Sequence, residues 1–223
     1  MSKPAAELIQ KWRLQLLIDC PEQSATTRES IICWLLGNDL KYFEMLDSNQ
    51  LKVNQQAMEH RYRLLRQRYL GLEPKQAYSN LMQRLVSSLV LLPNNIRSWL
   101  ALNRDRTGGA IEILQEIIQD LPRSDRHIQQ QMAWIAQCTD EPWLRNVLLF
   151  VSIEEYCLQP VRTRPLLIYR FVNHLCCTSR QGLEQTFAIE SIQADLKILP
   201  TVMQTRDSTA RVVNRPRNPI PIC

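Results

Sequence analysis

Four arginines, Arg61, Arg63, Arg66 and Arg68, stand within the run His60–Gly71. A guanidinium is always charged and presents a fork of donors that matches phosphate oxygens, so this cluster suits a polyanion, of which nucleic acid is the commonest. From Glu59 to Arg106 nine Lys/Arg stand against three Asp/Glu, a local charge of +6, while the whole chain of 223 residues carries +5. The remainder is therefore close to neutral. Directly after the block, Lys75, Gln76, Ser79, Asn80 and Gln83 offer side chains able to hydrogen-bond base edges. Arginines for phosphate and this second set for bases would make a DNA-reading surface. The competing reading is a solvated, salt-bridged helix face.

Other chemistry finds little support in the residues. A phosphate-cradling loop needs clustered glycines followed by Lys-Ser/Thr or a third glycine, and Gly108-Gly109 has neither. A structural zinc site needs four Cys/His ligands, usually in close pairs; His174, Cys176 and Cys177 stand alone on a helical segment where the two cysteines diverge by about 100°. The three histidines, His60, His127 and His174, are scattered, so none is paired by sequence with a cysteine nucleophile. Glu154-Glu155 lies in an apolar run, where one of the two acids is expected to pair with Arg162, Arg164 or Arg170. An enzyme would need one of these acids in a pocket with His127 or His174. No catalytic residue, metal or cofactor is expected.

The arginines need a scaffold, and the chain reads as a series of helices. Only five glycines occur, and apolar residues recur at helical spacing between prolines. Leu8, Ile9, Trp12, Leu16 and Leu17 form a stripe stopped by Pro21. Thr26 with Glu29 reads as a capping box for the next helix, and Gly37 as its stop. A short helix is expected over Asp39–Leu46, then a long one opened by Ser48. In that long helix Met58, Tyr62, Leu65 and Tyr69 share the inward face, which places Arg61 and Arg68 on one flank and Arg63 and Arg66 on the other. Gly71 ends it and Pro74 suits the first turn of the following helix, with Ala77, Tyr78, Leu81, Leu85 and Leu89 inward. Two helices around a short turn allow a helix-turn-helix, although Pro74 in the turn and the apolar length toward Leu92 depart from the usual pattern.

Further helices are expected over Ile96–Leu102, over Ile111–Leu121 ended by Pro122, from a Ser124 cap through Ala136, over Trp143–Leu158 as the central core helix, between Pro165 and Cys177, and over Ile189–Leu199. The loop-like stretch 104–109 is read as a boundary. The expected organisation is thus an N-terminal helical half, 1–103, containing the basic helix-turn-helix; a C-terminal half, 110–199; and a flexible Arg/Pro tail, 200–223. The fold class is all-α, a compact multi-helix bundle with a disordered C-terminal tail. The five tryptophans, Trp12, Trp34, Trp99, Trp134 and Trp143, are expected in the core.

Hydrophobic residues make up 45% of the chain, enough for a sizeable core. No signal-like apolar run opens the sequence and none reaches the roughly 18 residues that span a bilayer, so a cytoplasmic protein away from membranes is expected. Seven cysteines, unevenly spread, read as free thiols.

The run Arg61–Tyr78, with Ile128–Cys138, Leu144-Arg145-Asn146, Glu154–Leu158 and Leu167–Asn173, resembles the HetZ-type regulators of cyanobacteria. The resemblance spans roughly Gln55 to Leu175. It implies a transcription-associated role in heterocyst differentiation, with double-stranded DNA and other transcription regulators as partners. Members of that family continue into a further helical segment of sigma-factor-like appearance. This chain runs instead into the Arg/Pro tail, so it reads as a shortened relative.

Overall fold

Few glycines and helical apolar spacing leave helix as the backbone's main solution. A computed structural model describes residues 3–102, 109–161 and 163–178. Its α-helices are α1 (Lys3–Asp19), α2 (Ala25–Leu36), α3 (Ser48–Arg68), α4 (Pro74–Ser88), α5 (Asn94–Leu102), α6 (Ala110–Ser124), α7 (Arg126–Cys138), α8 (Pro142–Leu158) and α9 (Leu166–Thr178). Short 3₁₀ turns occupy Leu40–Glu44 and Leu89–Leu91. Between α8 and α9, β1 (Pro160–Val161) and β2 (Arg164–Pro165) form a small antiparallel ribbon, Pro160 opposite Pro165 and Val161 opposite Arg164. The fold is all-α, as the apolar spacing implies.

The chain divides into two compact units, Met1–Ile168 and Tyr169–Cys223. In the second, the described residues are those that continue α9. The first runs across the stretch 104–109, and helices from either side of that stretch pack together inside it. Positions 103–108, the helix expected over Ile189–Leu199 and the basic tail lie outside the described residues.

α8 is the centre of the first unit. Leu144, Val147, Leu148, Val151, Ser152, Ile153, Glu154, Tyr156 and Cys157 are all buried, more of the helix circumference than one apolar face occupies. A helix apolar nearly all round needs neighbours on several sides. α4, α7 and α3 supply them. α4 turns Ala77, Leu81 and Leu85 inward, α7 buries Ile128 and Ile135, and α3 buries Met58, Tyr62 and Leu65, with Tyr69 just past its end. Each fully buried leucine contributes about 1.5–3 kcal/mol relative to exposure. α1 packs on α2 and buries Leu8, Trp12 and Leu16.

Helix ends follow side-chain chemistry more locally than the expected caps. The N-cap of α2 is Ser24, whose Oγ accepts from the Thr27 amide at 2.9 Å, so Thr26 stands inside the helix. α3 does begin at Ser48, but Asp47 is the cap and forms the capping box with Gln50. Asp125, not Ser124, caps α7 by accepting from the Ile128 amide at 3.0 Å. Pro122 fails to end α6: in a last turn its fixed φ is helical and its missing N–H forfeits one bond. The helix continues to Ser124.

Trp12 and Trp34 are core residues, whereas Trp134 and Trp143 are half-buried, and the Trp99 side chain is outside the described set. No described helix is long and apolar enough to cross a membrane.

Candidate nucleic-acid interface

α3 positions the arginines, and its inward stripe fixes where each points. Trp12 meets the Tyr62 ring edge-on at 5.3 Å, and the Tyr62 hydroxyl donates to Asp19 Oδ2 at 3.2 Å, so α3 is fastened to the end of α1. Tyr69 donates its hydroxyl proton to Glu154 on α8. Between these two anchors the helix cannot rotate, and the arginines take fixed flanks.

Arg61 and Arg68 share the flank facing α8. Arg61 Nε donates to Glu155 Oε2 at 2.8 Å, and its guanidinium carbon lies 5.5 Å from the Trp34 ring centroid. Arg68 bonds Glu154, which Arg84 of α4 approaches at 3.5 Å. The Glu154 side chain is 2% exposed, so its charge would be costly without this arginine pair and the Tyr69 hydroxyl. Burial is the main cause that pushes the Tyr69 phenol well above its ordinary range, with the Glu154 carboxylate next. Glu155 thus meets Arg61 of α3, and Glu154 meets Arg68 at the end of α3 and Arg84 of α4; of the partners the sequence suggests, Arg162 lies outside the described residues. His127, one of the two histidines an acid–base site could use, stacks on the Tyr156 ring at 4.9 Å.

The opposite flank is open. Arg66 makes an ion pair with Asp19 at 3.0 Å but remains 48% exposed, a surface pair that water competes for. Arg63 is exposed, and among the described residues no carboxylate pairs with it.

The turn from α3 to α4 is specific. The Leu70 amide reaches back to the Leu65 carbonyl at 2.8 Å, the Leu72 amide bonds the Tyr69 carbonyl at 3.2 Å, and Gly71 takes φ +80°. Trp143 Nε1 donates to the Leu72 carbonyl at 3.0 Å and pins the turn to α8. Asn80 Nδ2 donates to the Arg68 carbonyl at 3.0 Å, closing the end of α3. Asn80 is thus a bracing residue of the corner. Lys75, Gln76, Ser79 and Gln83 are exposed and, at about 100° per residue, share the face of α4 opposite Ala77, Leu81 and Leu85.

The nine residues expected at the site thus fall into two groups. Arg63, Arg66, Lys75, Gln76, Ser79 and Gln83 face solvent; Arg61, Arg68 and Asn80 hold the two helices to each other and to α8. Sequence reasoning missed Arg84, Trp34 and Asp19 as partners of the arginines, because none shows its role without the contact across the fold. Among the described residues no group of three or more His, Cys, Asp or Glu side chains is placed to hold a metal ion. No known protein family, curated protein or solved structure matches this chain.

Proposed function

We propose that the chain is a transcription-associated regulator that contacts duplex DNA through the corner of α3 and α4. One observation carries the reading: Lys75, Gln76, Ser79 and Gln83 form a single exposed polar face immediately after the arginine-rich helix. In this reading Arg63, Arg66 and Lys75 contact phosphates, and Gln76, Ser79 and Gln83 meet base edges. Arg61, Arg68 and Asn80 set the corner. The resemblance to HetZ-type regulators supplies the setting, control of cell differentiation in cyanobacteria, with which a cytoplasmic location agrees.

The test is fluorescence anisotropy of a labelled promoter duplex across a salt series. Three phosphate-bound cations give a slope of log affinity against log salt of about −3, since each neutralised phosphate contributes about −0.9. No binding at low salt, or a flat slope, would sink the reading.

A second reading, a helical interaction module that binds other regulators without touching DNA, draws on a different observation. Leu14, Leu17 and Ile18, at i, i+3 and i+4 on α1, are 63, 53 and 78% exposed. Large apolar side chains gathered on one solvent face commonly mark a protein contact. Absence of duplex affinity, together with capture of a regulator from nuclease-treated lysate that Ile18→Glu abolishes, would favour it.

A further inference from the structure

Cys33 and Cys138 are 105 positions apart in sequence, yet their sulfurs lie 2.8 Å from each other. Cys33 is in the last turn of α2 and Cys138 is the last residue of α7, two helices that pack side by side. Both cysteines are half-buried. The other two cysteines with described side chains differ: Cys20 and Cys157 are buried, and Cys20 contacts the Tyr62 hydroxyl at 3.5 Å.

We propose that Cys33 and Cys138 are a thiol-oxidation site, closing reversibly into an intramolecular disulfide that staples α2 to α7. A disulfide bond is about 2.05 Å long, so the sulfurs need to approach by only about 0.8 Å.

The oxidant is a low-molecular-weight disulfide. The Cys33 thiol loses its proton and its sulfur attacks one sulfur of the reagent, whose S–S bond breaks; the first thiolate leaves and takes up that proton. Cys33 is then a mixed disulfide. The Cys138 thiol loses its proton, its sulfur attacks the Cys33 sulfur, and the second reagent thiol departs with the proton. Two protein thiols are oxidised and one reagent disulfide is reduced to two thiols. Burial, then the adjoining Cys33 thiol, raises the Cys138 pKa. The two thiols are interchangeable in this sequence, because whichever reacts first leaves the other sulfur beside it to resolve the mixed disulfide.

The site bears on the rest of the fold through Trp34, the residue after Cys33, whose ring carries the Arg61 guanidinium. A bond at Cys33 fixes the end of α2 next to that contact. It also joins distant parts of the chain, and a cross-link closing so long a loop restricts the unfolded state strongly.

The experiment uses the full chain, folded, incubated with oxidised glutathione and then alkylated and digested with trypsin without reductant. Cys33 and Cys138 fall on separate tryptic peptides, 29–41 and 127–145, each with a single cysteine. The expected product is those two peptides joined, lost on adding reductant, with the intact protein lighter by two hydrogens. The oxidised chain should unfold at a higher denaturant concentration than the reduced chain, and Cys33→Ser or Cys138→Ala should remove both the joined peptide and that difference. Stable glutathione adducts on either cysteine without the joined peptide would overturn the proposal, as would joined peptides that pair either cysteine mainly with another. The wild-type map decides even if a variant fails to fold.

Discussion

Arg61 Nε donates to Glu155 Oε2 at 2.8 Å across 94 positions of sequence. The same guanidinium lies against the face of Trp34. An arginine that the charge pattern offers to a phosphate is thus engaged by the protein itself. Arg63, two residues on, points the other way and is exposed. Charge density alone does not separate these two residues; their partners do.

Their substitutions should therefore part company. Arg61→Ala removes an ion pair and a cation–π contact and should lower stability by about 1 kcal/mol while leaving the salt dependence of duplex binding near wild type. Arg63→Ala should shift stability by less than about 0.5 kcal/mol and reduce the salt slope by about 1. Urea melts and anisotropy on both variants check this. Equal loss of slope in the two would contradict the assignment of flanks.

Glu154 is a buried carboxylate held by Arg68, Arg84 and the Tyr69 hydroxyl. Glu154→Gln should cost about 3 kcal/mol, the lower part of the range for breaking a buried pair, because Arg68 and Arg84 reach water and recover some hydration. Tyr69→Phe should cost about 1.5–3 kcal/mol through the lost bond to a charged acceptor. The double variant should cost less than the two together, since both act on one cluster. Additive losses in a denaturation cycle would show that the contacts act independently.

Tyr62 and Tyr69 predict an alkaline limit to stability. Burial raises both phenols, with Cys20 and Asp19 adding at Tyr62 and Glu154 adding at Tyr69. The folded state keeps protons that the unfolded state releases from about pH 10, so the contribution is full below that pH and falls as pH rises above it. The decline should reach up to about 1.4 kcal/mol per pH unit for each tyrosine. Urea midpoints measured between neutral and strongly alkaline pH should show it, and Tyr62→Phe or Tyr69→Phe should flatten the slope. An unchanged slope in both variants would refute the assignment.

Gly71 is required by backbone conformation and not by crowding. Its φ is +80°, and a Cβ built there meets no atom within 4 Å. Gly71→Ala should cost about 1–2 kcal/mol, the left-handed penalty, and Gly71→Asn less, because asparagine tolerates that region better. A fall in urea midpoint without a change in slope on denaturant would be the signature.

Most of the secondary structure is legible in the residues. Apolar spacing at three and four placed Met58, Tyr62, Leu65 and Tyr69 on one face of α3, and all four are buried. The same periodicity put Arg61 and Arg68 on one flank, where both meet acids of α8. The apolar run Trp143–Leu158 identified the central helix, and Pro74 marked the first turn of α4. Caps were read less well, since Ser24, Asp47 and Asp125 compete with neighbouring serines and threonines for the same amides, and only backbone geometry decides the winner.

What the sequence determined by itself is therefore local: helical periodicity, the burial of one face, and a concentration of positive charge between Glu59 and Arg106. These follow from the 100° step of the helix and from counting, and need no knowledge of distant residues. Tertiary structure alone decided which cations stay unengaged by the protein itself, because Glu154, Glu155 and Asp19 meet arginines 47 or more positions away in sequence. It also brought Cys33 against Cys138. An ion pair or a thiol pair depends on separation in space, and helix packing sets that separation.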